Sequence, residues 1–253
     1  MRDLPVNPEQ KGSLCMKIRI KFSKYGTMKY IGHLDMMRFF QKAIRRAGID
    51  VKYSEGFSPH QIMSFAAPLG VGMESRGEYM DIEVLSMTTA QEMKEALNRV
   101  MVEGVEILSV SILPDHAKNA MASVAAASYL LKKKEGDYPV DGLTGKLAAF
   151  LAQETIPYTK ETKKGVAELN LKEGIYELEA ENGSAIRMLV NASSSGNIKP
   201  GMVMEAFSAF AGVEIPPSAY RIIKLETYMD PAANDKDRQD SHRWIPLDAV
   251  REK

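Results

Sequence analysis

The chain has 253 residues, 45% hydrophobic and 26% charged, with equal numbers of basic and acidic side chains and one cysteine, Cys15. That length suits two small cores and the composition is that of an ordinary globular protein, while a single cysteine excludes an intramolecular disulfide, a cysteine-rich zinc site and a cysteine-bound iron–sulfur cluster within the chain. No apolar run approaches the ~20 residues of a membrane helix and no signal-peptide core follows the first methionine, so a reducing cytoplasm and no membrane are expected.

Residues 1–15 carry two prolines and no hydrophobic period, and read as a disordered lead-in. Residues 17–22 alternate strictly, as a half-buried strand does. A helix follows over 32–47, with Leu34, Met37, Phe40, Ile44 and Ala47 as its expected apolar stripe and Gly48 as its stop. A short strand at 51–54, strands at 62–67 and 79–85, a helix at 89–102 and a strand at 105–113 complete the first half. The order strand, helix, strand, strand, helix, strand is that of the split βαβ, or ferredoxin-like, arrangement.

The second half repeats the order. Strands are expected at 123–132, 155–162 and 165–171, with a helix at 144–153 after the first of them. A hairpin at 175–181 and 184–192 turns on Asn182-Gly183, because both residues tolerate positive φ. Pro200 opens a helix to 211, and 220–229 is the last strand. The expected fold is therefore α+β: two tandem ferredoxin-like domains with mostly antiparallel sheets, at 16–114 and 121–229, the second with inserted strands. Residues 230–253 read as a flexible polar tail with a short docking segment near Trp244.

Charge is uneven along the chain. Ten Lys and Arg face three acids over 17–60, an excess of seven, and eight acids face three bases over 61–114. A neutral protein can thus present a basic face to a polyanion. Arg38, Lys42, Arg45 and Arg46 share one sector of the first helix opposite its apolar stripe; a nucleic-acid surface is weighed here against a merely solvated face. In the loop Glu55-Gly-Phe-Ser-Pro-His60, Phe57 and His60 suit base stacking and Ser58 a phosphate; the alternative is a rigid turn with Phe57 in the core. Lys132, Lys133 and Lys134 are a second phosphate contact or a solubilising edge.

His33 and Asp35 at the helix start are the candidate acid–base pair, for RNA cleavage at a 2′-hydroxyl. The phase of His33 toward the apolar side favours a core histidine. No metal-ligand spacing joins the four histidines, so neither metal nor cofactor is expected. The glycine-bearing loop 68–76 suits a close approach to a ligand, yet it is neither a P-loop nor a dinucleotide fingerprint.

The strings Tyr30-Ile-Gly-His-Leu-Asp35, Arg45-Arg-Ala-Gly48, Gly56-Phe-Ser-Pro-His60 and Ala67-Pro-Leu-Gly70 resemble the radical-SAM-linked protein family. This is a bacterial domain of unknown function that occurs alone or fused behind a radical SAM protein, and the chain looks like its stand-alone form. The resemblance covers residues 16–229 and is tighter in the first half. It implies a radical SAM partner and work on RNA, near an E/G-type ribonuclease or the ribosome. The tandem arrangement is also similar in outline to the repeat-associated RNA endonucleases of CRISPR systems. The expected function is an RNA-binding accessory protein in tRNA or rRNA modification or maturation. A metal-independent endonuclease using His33, and a protein-docking module, stand as alternatives.

Overall fold

The computed structural model describes residues 15–135, 142–162, 165–182, 185–231 and 244–250. Expectations for 1–14, for Gly183 and for 232–243 lie outside these. The first half runs β1 (Met16–Lys24), α1 (His33–Arg46), β2 (Met63–Phe65), β3 (Glu74–Val84), α2 (Ala90–Asn98) and β4 (Val105–Ile112). The second runs α3 (Ala120–Ser123), β5 (Ala126–Lys133), α4 (Leu147–Leu151), β6 (Pro157–Thr162), β7 (Gly165–Asn170), β8 (Ile175–Glu181), β9 (Ala185–Asn191), α5 (Pro200–Ala211) and β10 (Tyr220–Met229), followed by β11 (Ile245–Pro246).

The protein is a mixed α+β fold around one large, mostly antiparallel sheet. Its strand order is β4-β1-β3-β10-β5-β9-β8, with β2 on β3 and β11 on β10, while β6 and β7 pair apart from it. Each half lays its strands fourth, first, third, second: β4-β1-β3-β2, then β10-β5-β9-β8 when β6 and β7 are set aside. The short β2 covers only Met80–Ile82 of β3. The uncovered start of β3 is where β10 attaches, in the one parallel pairing among the described residues, Ile223 opposite Glu74 and Lys224 opposite Ser75. This seam joins the halves.

Helices of both halves pack on one face of the sheet. Ile18, Ile20 and Phe22 of β1 and Met80 and Ile82 of β3 point inward at period two and meet Phe40 and Ile44 of α1. Across the seam, Tyr129 and Leu131 of β5 join Phe150 of α4 and Phe207 of α5. On α1 the buried residues are Met36, Phe40, Ala43 and Ile44, and the expected Leu34 is 66% exposed. At ~100° per residue Leu34 lies roughly 120° from Phe40, outside the stripe that the sheet covers.

The other face is polar at its centre. Arg19 grips Asp81 with two hydrogen bonds, at 2.8 and 2.9 Å, and donates to the carbonyls of Leu247 and Lys118. The Tyr79 hydroxyl donates to Glu226 and Asp248, and Ser109 donates to the same Asp248. Residues 244–250, expected within a polar tail, are thereby docked on the sheet, with Leu247 fully buried and the Trp244 ring tilted against Tyr176 of β8. The basic strand β1 and acidic strand β3 are neighbours, so part of the charge asymmetry along the chain is met inside the fold. Arg19 pairs with Asp81, Lys29 with Glu74 and Lys52 with Glu83, while Lys21 reaches Glu226 of β10.

Candidate functional site

Among the described residues, positive charge without a paired acid gathers on at least two surfaces. The first is the outer side of α1. Arg38, Lys42, Arg45 and Arg46 are all exposed there. Arg38 meets Asp35 at 3.1 Å, an exposed pair one turn apart and worth little, and Arg46 donates to the carbonyl of Val100.

The loop 54–60 stands beside this helix. Its ends are tied: the Ser54 amide donates to the His60 carbonyl, the His60 amide donates to Ser54 Oγ, and Ser54 Oγ lies 2.8 Å from His60 Nδ1. Gly56, at φ 107°, makes the reversal that a side chain would strain. Gln61 then donates to the carbonyl of Gln41 at 3.1 Å, which anchors the loop to α1. Phe57 is held out at the tip, fully exposed at 112% relative accessibility. The rigid turn with Phe57 in the core is therefore not what forms; a large apolar ring held in water is the unusual feature. Ser58 and His60 are exposed on the same loop.

His33 and Asp35 diverge. His33 packs edge-on to Phe65 at 5.3 Å in a hollow of only about 20 Å³ that Lys24 and Glu78 share. Asp35 faces the cations. None of the hollows described takes in Phe57, His60 or Arg38.

The second surface is a cleft of about 850 Å³ on the helical face of the sheet, above the seam. One wall is Lys29, Tyr30 and the glycine loop 67–73; the other is the N-terminus of α5 with Asn197 and Lys199, and the turn at Pro217 and Ser218. Tyr129, Tyr220 and Ile222 lie in its floor. Lys29, Lys134, Lys199, Arg221 and Lys224 line it, and among the described residues no carboxylate does. The seam explains this. Glu74, buried beside β10, accepts from Arg221 and pairs with Lys29. Burial alone would push the Glu74 carboxyl up, but Arg221 and then Lys29 outweigh it and hold it below the usual carboxylate range. Lys224 and Glu78 form a buried ion pair at 2.5 Å. Burial penalises the Lys224 ammonium, and Glu78 more than restores it, so its pKa lies above the ordinary lysine value. Lys24, on the far side of Glu78, donates to the carbonyl of Ile31, and burial lowers its pKa. Lys134 and Lys199 make no ion pair among the described residues.

Of the expected run of three lysines, Lys134 lines the cleft together with Lys29, while Lys132 and Lys133 continue β5. Lys29, Lys199 and Arg221 were not singled out in the sequence. They are isolated cations far apart in the chain, and only the strand order brings them together; the glycine loop was the one local sign.

Among the described residues no cluster of His, Cys, Asp and Glu suits a metal ion, and no helix is long and apolar enough to cross a membrane. No curated protein matches the chain. Residues 17–200, from β1 to the first residue of α5, match the model of a family described as "Uncharacterized protein conserved in bacteria (DUF2344)", and the chain belongs to that family.

Proposed function

We propose that this is an RNA-binding accessory protein, which holds a single-stranded stretch of tRNA or rRNA across α1 and the loop 54–60. The observation that carries the reading is Phe57. A pinned loop holds an aromatic ring wholly in water beside a helix whose outward cations are largely unpaired. Aromatic rings stack on unpaired bases, and flanking Arg and Lys follow the phosphates; this is the usual division of labour at such surfaces. His33 has no catalytic part in this reading, since its ring packs on Phe65 and Asp35 turns to Arg38.

The fold reading belongs with it. The repeated strand order supports two copies of a ferredoxin-like unit, fused edge to edge where β2 is too short to cover β3. The likeness to radical-SAM-linked proteins supports a radical SAM partner that does chemistry on the RNA this chain holds.

The test is a titration of single-stranded RNA over a salt series. Four phosphate contacts give a slope of log K against log salt near −3, taking about −0.7 per contact on single strands. Replacing Arg38, Lys42 and Arg45 by Ala brings it to about −1 and removes most of the affinity. A slope and affinity unchanged by that triple replacement reject the surface.

A further inference from the structure

The seam cleft is independent of α1 and shares no residue with the RNA surface. Its volume, about 850 Å³, lies in the range of sites for small organic ligands, roughly 300–1,000 Å³. Its lining combines two chemistries that one class of ligand needs together.

The first is an anion hole. Helix α5 is 12 residues long and starts at Pro200, with Lys199 at its N-cap and no side chain capping it. Pro200 has no N–H and the Met202 amide donates to the Lys199 carbonyl, so the Gly201 amide is the one in this first turn that makes no hydrogen bond among the described residues, and the helix dipole favours negative charge there. Gly201 sits in that first turn, and a Cβ built on it would meet nothing within 4 Å, so the backbone is open to the cleft. Lys134 and Lys199, which make no ion pair among the described residues, line the same space.

The second is a tyrosine-rich floor. Tyr129 is only 8% exposed, and its hydroxyl makes no hydrogen bond among the described residues. Its oxygen is not among the buried side-chain atoms left without a partner, so it opens on the cleft, where a polar group of a ligand can meet it. Tyr30, 63% exposed, stands at the opposite wall with Lys29 5.2 Å from its ring.

We propose that the seam cleft binds a small phosphorylated ring compound of the class of a nucleoside monophosphate. The phosphate lies at the start of α5 with Lys199 and Lys134, the ring lies over the tyrosine floor, and a polar group of the ring meets the Tyr129 hydroxyl. The phosphate can be that of a free nucleotide or the 5′ end of an RNA.

The experiment is calorimetric titration of the full chain with AMP, GMP, CMP and UMP, with adenosine and inorganic phosphate as partial probes. At least one nucleotide binds at one site per chain, at least tenfold more tightly than phosphate or adenosine. Gly201→Asp puts a carboxylate where the phosphate lies. There is room for it, and an acid in the first turn suits the helix, so the protein folds and loses nucleotide binding by tenfold or more. Competition by a 5′-phosphorylated but not a 5′-hydroxyl hexanucleotide assigns the site to an RNA end; binding of the free nucleotide alone assigns it to a metabolite. Absence of binding by all four nucleotides, or binding that Gly201→Asp leaves intact, overturns the proposal. Because α1 plays no part in the cleft, RNA titration of the same Gly201→Asp variant with a 5′-hydroxyl strand shows separately whether the RNA reading stands.

Discussion

On α1, Arg38, Lys42 and Arg45 stand on a convex helix, open to water and salt, with one aromatic ring beside them at the tip of a loop. In the seam cleft, Lys29, Lys134, Lys199, Arg221 and Lys224 line one concave space floored by tyrosine. The sign of the charge is the same and the consequence differs. Exposed cations are screened over a Debye length and suit a long polyanion that brings many phosphates. Lys134, Lys199 and Arg221 are exposed as well, but they converge on one concave space, which suits a single small anion. The cleft also divides its own cations: Arg221 and Lys224 are tied to Glu74 and Glu78 and hold the seam, while Lys134 and Lys199 make no ion pair among the described residues.

The sharpest way to break this contrast is to remove a seam carboxylate. Glu78→Ala leaves Lys224 buried and unpaired, so it should cost about 3–5 kcal/mol of stability. Replacing Glu78 by Leu and Lys224 by Met together should cost much less. Chemical denaturation of both variants measures it, and equal losses would show that the pair is not what matters at the seam.

Gly77 lies where β3 and β10 touch. A Cβ there would stand 2.6 Å from the Glu226 Cα and 3.0 Å from the Leu225 carbonyl oxygen. Backbone cannot give way as a side chain can, so Gly77→Ala should cost about 1–3 kcal/mol, read as a lower denaturation midpoint. Gly201→Ala, in open space, should cost nothing and can add helix stability.

Phe57→Ala sharpens the α1 side. A fully exposed ring contributes no core, so thermal stability should stay unchanged. RNA affinity should fall by about 1–3 kcal/mol, the worth of stacking one base, with the salt slope unchanged. A fall in stability without a fall in affinity would make Phe57 structural.

The smallest effect is that of pH on the seam. The Glu74 carboxyl titrates below its unfolded value, so the unfolded chain binds the proton first and stability rises with pH. The contribution is complete above the ordinary glutamate range, near ~4.3, and is lost as pH falls from there through the folded value. Glu74→Gln should flatten that part of the stability profile; an unchanged profile would remove Glu74 from the seam's account.

How far the sequence reaches differs between the same regions. α5, β8 and β10 run as their local signals say: Pro200 opens a helix, and 175–181 and 220–229 are strands. The basic sector of α1 follows from helical spacing alone. The seam does not follow from any local signal. Glu74-Ser-Arg-Gly-Glu78 reads as a polar loop, yet it is the first half of β3, with Glu74, Ser75 and Glu78 buried. Its partners Arg221 and Lys224 lie about 150 positions away, where no periodicity can announce them. The exposure of Phe57 was equally unreadable, because it depends on the Ser54–His60 and Gln61–Gln41 ties rather than on the type of residue at the tip.

The most direct test is a crossed pair of titrations: single-stranded RNA with a 5′-hydroxyl, and the nucleoside monophosphate that binds best. Each is run on the Arg38, Lys42, Arg45 triple alanine variant and on Gly201→Asp. Two separate anion sites predict that the triple variant loses RNA and keeps the nucleotide, while Gly201→Asp keeps RNA and loses the nucleotide. Loss of both ligands in either variant, or of neither in both, would contradict the account.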